Sequence, residues 1–186
     1  MADLPRPRLG PMNDNDMALR EILHHPDPRL REKAKTVERF DAALQRLIDD
    51  MFDTMYAAPG VGLAATQIGV DQRVAVMDCA VEEGKREPMV LVNPQILDPS
   101  DPEEVEEGCL SVPGVRDKLK RYRRLKLRAL DRDGKPYEIE AEGLVAQCIQ
   151  HEVDHLNGKL YIDYLSSLKR ERLMKKMREE QADAER

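Results

Sequence analysis

The sequence predicts an α+β fold, on three observations. Two stretches, 41–56 and 144–156, repeat apolar residues at helical spacing. Four short runs, 73–79, 88–94, 123–130 and 136–143, carry β-branched and aliphatic residues between turn signals. Helices and strands fall in blocks rather than in strict alternation, and the last two runs flank a tight turn, so the strands are expected to be antiparallel.

Taken in chain order, residues 1–16 (MADLPRPRLGPMNDND) lack an apolar period and read as a disordered extension or expression remnant outside the fold. A proline-punctuated segment follows, in which His24 and His25 precede Pro-Asp-Pro and read as loop residues rather than ligands. Asp41 can cap a helix in which Leu44, Leu47, Ile48, Met51 and Met55 share one face and which ends near Tyr56, before PGVG. Among the strand runs, RRLKLRAL and PYEIEAEG flank Asp131-Arg132-Asp133-Gly134, a hairpin signal. The helix 144–156 is closed by Asn157-Gly158, a left-handed stop. A third helix is expected from about Ser166 to the end. No repeat or linker divides the chain, so residues 17–186 are expected to form one domain.

Composition narrows the function. A net charge of −6 argues against a general DNA or RNA binder. No apolar run approaches the roughly 20 residues of a membrane helix. Asp3, Asp14 and Asp16 are unlike a signal or transit peptide. Three cysteines, Cys79, Cys109 and Cys148, fit no disulfide framework. A reducing, cytoplasmic setting follows, and it leaves thiolates free to bind metal.

The sharpest signal is QHEVDHLNG, residues 150–158. Positions i and i+4 of a helix share a face, so His151 and His155 can present two imidazoles to one ion, with Glu152 beside them to move protons. Leu144, Cys148, His151 and His155 fall on one stripe, expected to point inward, where unpaired imidazoles would be costly. The third ligand is open on this reading. Tyr161 stands where an extended zinc-protease motif needs a third histidine, and Glu171, Glu179 and Glu180 lie in a highly charged helix. Cys148 and Cys109, the latter in the Gly/Pro-bounded loop EEGCLSVPG, are better candidates. Both together would make a closed structural Cys2His2 site, and one alone would leave a position for catalytic water.

Three segments in order, GVGLAATQ (60–67), EGCLS (107–111) and QHEVDH (150–155), resemble the three signature motifs of the peptide deformylase family. ALDRDGKPYEIEAEGL (129–144) and MFDTMYA (51–57) are similar to bacterial members, and the helical C-terminus resembles that of the Gram-negative-type subclass. The resemblance covers residues 17 to about 180 and implies antiparallel strands around a central metal-binding helix. It implies Cys109, His151 and His155 as ligands of one divalent ion, Fe(II) physiologically, with Ni(II), Co(II) or Zn(II) also accepted. Cys148 then becomes a packing residue.

The implied reaction removes the formyl group from N-formylmethionyl nascent peptides. Glu152 would act as general base and then acid, with the Gln67 side chain and the Leu110 backbone N–H as oxyanion donors. Gly60, Val61 and Gly62 would pair with the peptide backbone. Val61, Val105, Leu144, Cys148 and His151 would line the methionine pocket, where Gln147 departs from a usually aliphatic position. Arg116 would guide the peptide downstream of methionine. Glu107 is expected either to contact substrate or to buttress the site, Glu106 to be a loop carboxylate, and Asp154 to support the ligand helix. Six basic residues between Lys169 and Arg178 imply docking on the ribosome near the peptide exit, or else a solvated amphipathic helix packing on Leu165, Leu168 and Leu173. Nothing demands more than a monomer. Two rivals make different predictions: an HExxH zinc endopeptidase would cleave unformylated peptides, and a Cys2His2 structural-zinc adaptor would tolerate loss of Glu152.

Overall fold

The computed structural model describes residues 19–80 and 82–186, so the expected extension at 1–16 lies outside the described residues. Eight main elements follow in order: α1 (Ala42–Ala57), β1 (Gly62–Ala64), β2 (Val74–Asp78), β3 (Pro88–Cys109), β4 (Val112–Leu130), β5 (Pro136–Glu142), α2 (Leu144–Leu156) and α3 (Ser167–Ala184). Short 3-10 turns at Pro28–Arg31, Ala65–Ile68 and Tyr161–Tyr164 join them. The five strands form one antiparallel sheet in the order of the chain. The α+β expectation is met.

The first helix forms as its sequence dictates. Asp41 accepts the Leu44 N–H at 3.0 Å, and Leu44, Leu47, Ile48, Met51 and Met55 are buried against β1 and β2. The central helix α2 lies on the sheet, packing Ala146, Cys148, Ile149, Val153 and Leu156 onto Leu91, Leu125, Leu127 and Ala141. It stops where expected: Gly158 takes φ +75°, and a Cβ there would overlap the Arg31 carbonyl. Without tryptophan, the third core uses Leu173, Met174 and Met177 of α3 against Val112, Val115, Leu119, Tyr161 and Ile162. Burying each such side chain stabilises by about 1.5–3 kcal/mol.

Four expectations need correction. β3 and β4 run far beyond 88–94 and 123–130, into one long hairpin. Register shifts after Val92 and Leu97, with Asn93, Asp98 and Asp101 at positive φ, interrupt the alternation that would have revealed it. EEGCLSVPG is accordingly no open loop. Strand runs to Cys109 and resumes at Val112, leaving only Leu110-Ser111 as the turn. Leu144 does not point inward: it sits at the first turn of α2 and is 44% exposed. Leu168 is 56% exposed, and α3 packs instead through Leu173, Met174 and Met177. The three-residue strand β1 had no sequence signal beyond its glycines.

Candidate metal centre

Two elements built separately meet at the centre. One turn of α2 brings His155 Nε2 to 3.1 Å from His151 Nε2, as the i, i+4 spacing requires. At the end of the β3–β4 hairpin, Cys109 Sγ lies 3.2 Å from His155 Nε2. The ligand atoms of Cys109, His151 and His155 all fall within 4.8 Å of one another, the one such group among the described residues. Cys148 is outside it, buried with its thiol against Cys79, so the closed Cys2His2 arrangement is not assembled.

The donor set fits a metal ion. Glu107 takes His151 Nδ1 at 2.7 Å and Arg121 in two bonds at 2.8 and 3.0 Å. Burial alone would raise the Glu107 pKa, but those donors outweigh it and hold the carboxyl below its ordinary range. An ionised Glu107 can only accept, so Nδ1 carries the hydrogen, and in the neutral form that can ligate a metal the His151 lone pair sits on Nε2, facing Cys109 and His155. Burial opposes a charge on His151, yet Cys109 and Glu107 outweigh it and raise its pKa. His155 is pushed down by burial and by His151. A thiol and two imidazoles converging in this way suit a borderline-soft divalent cation.

Of the two expectations for Glu107, the geometry favours the buttress over the substrate contact: it is 4% exposed and its oxygens are taken. Asp154 supports α2 indirectly, accepting Arg121 Nη1 at 2.7 Å and the Tyr164 hydroxyl at 3.0 Å. Arg121 had been hidden in a basic run. Its signal was parity: it shares the face of Leu119, Leu125 and Leu127, and only a paired cation tolerates that face. Tyr161, which stands where an extended zinc-protease motif needs a third histidine, stacks on His151 with ring centroids 6.3 Å apart.

Around the ligands stand the groups that could act on a substrate. Glu152 is 3% exposed, burial pushes its pKa up to about 7, and its Oε2 has no hydrogen-bond partner. Gly62 lies so close that a Cβ there would overlap Glu152 Oε1, and one on Gly60 would come to 2.7 Å of the Leu110 side chain. Gln67, at the end of the turn after β1, is 1% exposed and aims Nε2 at Ser111 Oγ (3.0 Å) and Cys109 Sγ (3.7 Å). Val61 is 50% exposed, on the strand-edge segment beside Gly60 and Gly62. Val105 is half-buried, two residues before Glu107 on β3. Gln147 bonds the Glu106 carbonyl at 3.2 Å, tying α2 to β3. Arg116 is exposed, its guanidinium 3.5 Å from the same carbonyl. No helix among the described residues is long and apolar enough to cross a membrane.

Comparison with known proteins agrees with this geometry. The family model described as Polypeptide deformylase matches residues 19–171. A peptide deformylase of Hahella chejuensis is 60% identical over 87% of this chain and 95% of its own length. That of Alkalilimnicola ehrlichii is 58% identical over 87% and 90%. Among solved structures, a peptide deformylase from Legionella pneumophila superposes with a TM-score of 0.86 at 53% identity, covering 91% of this chain and 99% of that one. One from Ehrlichia chaffeensis in complex with actinonin gives 0.83 at 41%, covering 88% and 98%. The chain belongs to the peptide deformylase family.

Proposed function

We propose that the protein hydrolyses the N-formyl group of formylmethionyl nascent peptides, using Cys109, His151 and His155 to hold one divalent metal ion, Fe(II) in the cell. The observation that carries this reading is the convergence of three ligand atoms beside a buried carboxylate whose Oε2 has no partner. The ion, when bound, acidifies a water and polarises the formyl oxygen. Glu152 takes the proton of the attacking water at Oε2 and passes it to the departing amine as the C–N bond breaks, releasing formate. The Gln67 side-chain N–H and the Leu110 backbone N–H donate to the oxygen that becomes negative when the carbonyl carbon turns tetrahedral.

Substrate recognition follows from the strand edge beside the centre. β1 is the outermost strand of the sheet, and its Gly60–Gly62 approach lets an extended peptide add alongside. Exposed Val61 and Leu144, with Val105, Cys148 and the His151 ring, form the apolar surface for methionine. Arg116 meets the chain downstream. We place the enzyme in the cytoplasm as a monomer, docking on the ribosome through α3. There Lys169, Arg172, Lys176 and Arg178 face a polyanion, while Lys175 pairs with Glu179 and Arg170 bonds the carbonyls of Ile162, Asp163 and Leu165.

Formate release from a formyl-Met tripeptide by anaerobically prepared, Fe(II)-loaded protein tests the reaction. Formate with intact peptide bonds is expected, and Glu152→Gln should keep fold and metal but lose turnover. Cleavage of the unformylated control would sustain the endopeptidase instead, and turnover by Glu152→Gln would remove Glu152 from the mechanism.

A further inference from the structure

We infer that Ser111 is a positioning residue for the reaction, its hydroxyl locking the Gln67 carboxamide so that a single N–H faces the reacting oxygen. This rests on the reading of Gln67 as an oxyanion donor and adds what makes that donor reliable. A carboxamide is two-faced: its terminal torsion is broad, and a half-turn would replace the N–H by an oxygen lone pair, which repels a developing oxyanion.

The structure removes that freedom twice. The Ala64 backbone N–H lies 2.9 Å from Gln67 Oε1, and a backbone N–H can only donate, so the facing atom is the oxygen. Nε2 is thereby turned to the hairpin end, where Ser111 Oγ accepts one of its two hydrogens at 3.0 Å. The other is left toward Cys109 Sγ at 3.7 Å, a long contact that a substrate oxygen can displace. Both residues are buried, Gln67 at 1% exposure and Ser111 at 0%, so little solvent competes for the bond between them.

A common strap fixes the two backbones relative to each other. The Leu23 N–H donates to the Gln67 carbonyl at 2.7 Å, and the His25 N–H donates to the Ser111 carbonyl at 2.8 Å. The strap, the turn after β1 and the hairpin end thus hold the donor before substrate arrives, which is what electrostatic preorganisation requires.

A double-mutant cycle tests the assignment, with Ser111→Ala, Gln67→Met and the double variant compared in metal-loaded form for kcat, KM and metal content. Loss of an oxyanion donor typically lowers kcat by about 100-fold, the drop expected for Gln67→Met. Ser111→Ala should lower kcat by roughly 10-fold, a part of that donor's effect, at unchanged KM and metal content. The double variant should be no worse than Gln67→Met. Full kcat in Ser111→Ala, or a Ser111→Ala loss that persists in the Gln67→Met background, would overturn the positioning role and leave Gln67 as donor. Full kcat in Gln67→Met would overturn the donor reading itself. A second readout stands even if Ser111→Ala does not fold. In Zn(II)-loaded wild-type protein, the two protons of the Gln67 side-chain amide, assigned by their loss in Gln67→Met, should exchange with deuterium at different rates, the one bonded to Ser111 slowly. Equal and fast exchange would overturn the inference.

Discussion

Replacing Arg121 by methionine removes a guanidinium that makes three short bonds, to both oxygens of Glu107 and to Asp154. The Arg121 and Glu107 side chains are each 4% exposed and that of Asp154 is 15% exposed, so water cannot readily replace the lost donor. Deleting one partner of a buried ion pair costs about 3–5 kcal/mol. Glu107 keeps His151 and Asp154 keeps the Tyr164 hydroxyl, which puts the loss near the lower end, ~3 kcal/mol. At roughly 2–4 °C per kcal/mol for a chain of this size, Tm should fall by roughly 6–12 °C. Thermal and urea unfolding of metal-free protein at pH 7, followed by circular dichroism, measures this without a contribution from bound ion. Metal affinity should also fall, by roughly 10- to 100-fold, because Glu107 loses the group that aims it at His151. A loss below about 1 kcal/mol with unchanged metal affinity would refute the view that Arg121 supports the centre through buried charge.

Three further outcomes are expected. Cys109→Ser should release metal far more readily than Cys148→Ser, read by metal content after gel filtration; the reverse order would overturn the ligand assignment. Gly62→Ala should fold and retain metal yet lose most of its kcat, since the new methyl displaces Glu152; unchanged kcat would show that the approach of β1 to the carboxylate is immaterial. Asp163 gives a pH test. Burial opposes its charge, but Arg31 and the Leu160 N–H prevail and hold its pKa below 3.8. A depressed folded value contributes stability above the unfolded pKa and loses it as pH falls through the folded one. The stability gap between wild type and Asp163→Asn, about 1 kcal/mol or less for a pair this exposed, should hold at neutral pH and close below about pH 3.8. A gap that widens on acidification would contradict the argument.

Local rules made the extent and ligand face of α2 legible: its apolar period, the i, i+4 histidines and the Asn157-Gly158 stop all act within a turn or two of chain. The Asp131–Gly134 turn was legible for the same reason, Asp131 Oδ1 accepting the N–H groups of Asp133 and Lys135. The long hairpin was not, because its bulges break the period on which a strand is recognised. Leu144 misled because stripe membership says which side a residue faces, not whether anything covers the helix end. Around the metal, the histidine pair could be read from spacing, and Cys109 needed the resemblance. Ser111 and Arg121 act across the fold on residues 44 and 14 positions away; strand parity marks Arg121 as inward-facing, but no local pattern names the partner of either residue.

The hairpin end that supplies Cys109 also makes the centre a product of complete folding. His151 and His155 need only one formed turn, but Cys109 joins them from 46 positions before His155, once two strands have paired and their turn has docked on α2. A chain with the helix alone offers an ion the two imidazoles but not Cys109. Ion binding therefore favours the finished topology over partly folded ones, and at free metal about 1,000-fold above its dissociation constant this linkage is worth about 4 kcal/mol. The ion is then also a folding ligand: a chain whose hairpin has not docked gains none of that stabilisation, and metal retention reports how much of a preparation has reached the native state.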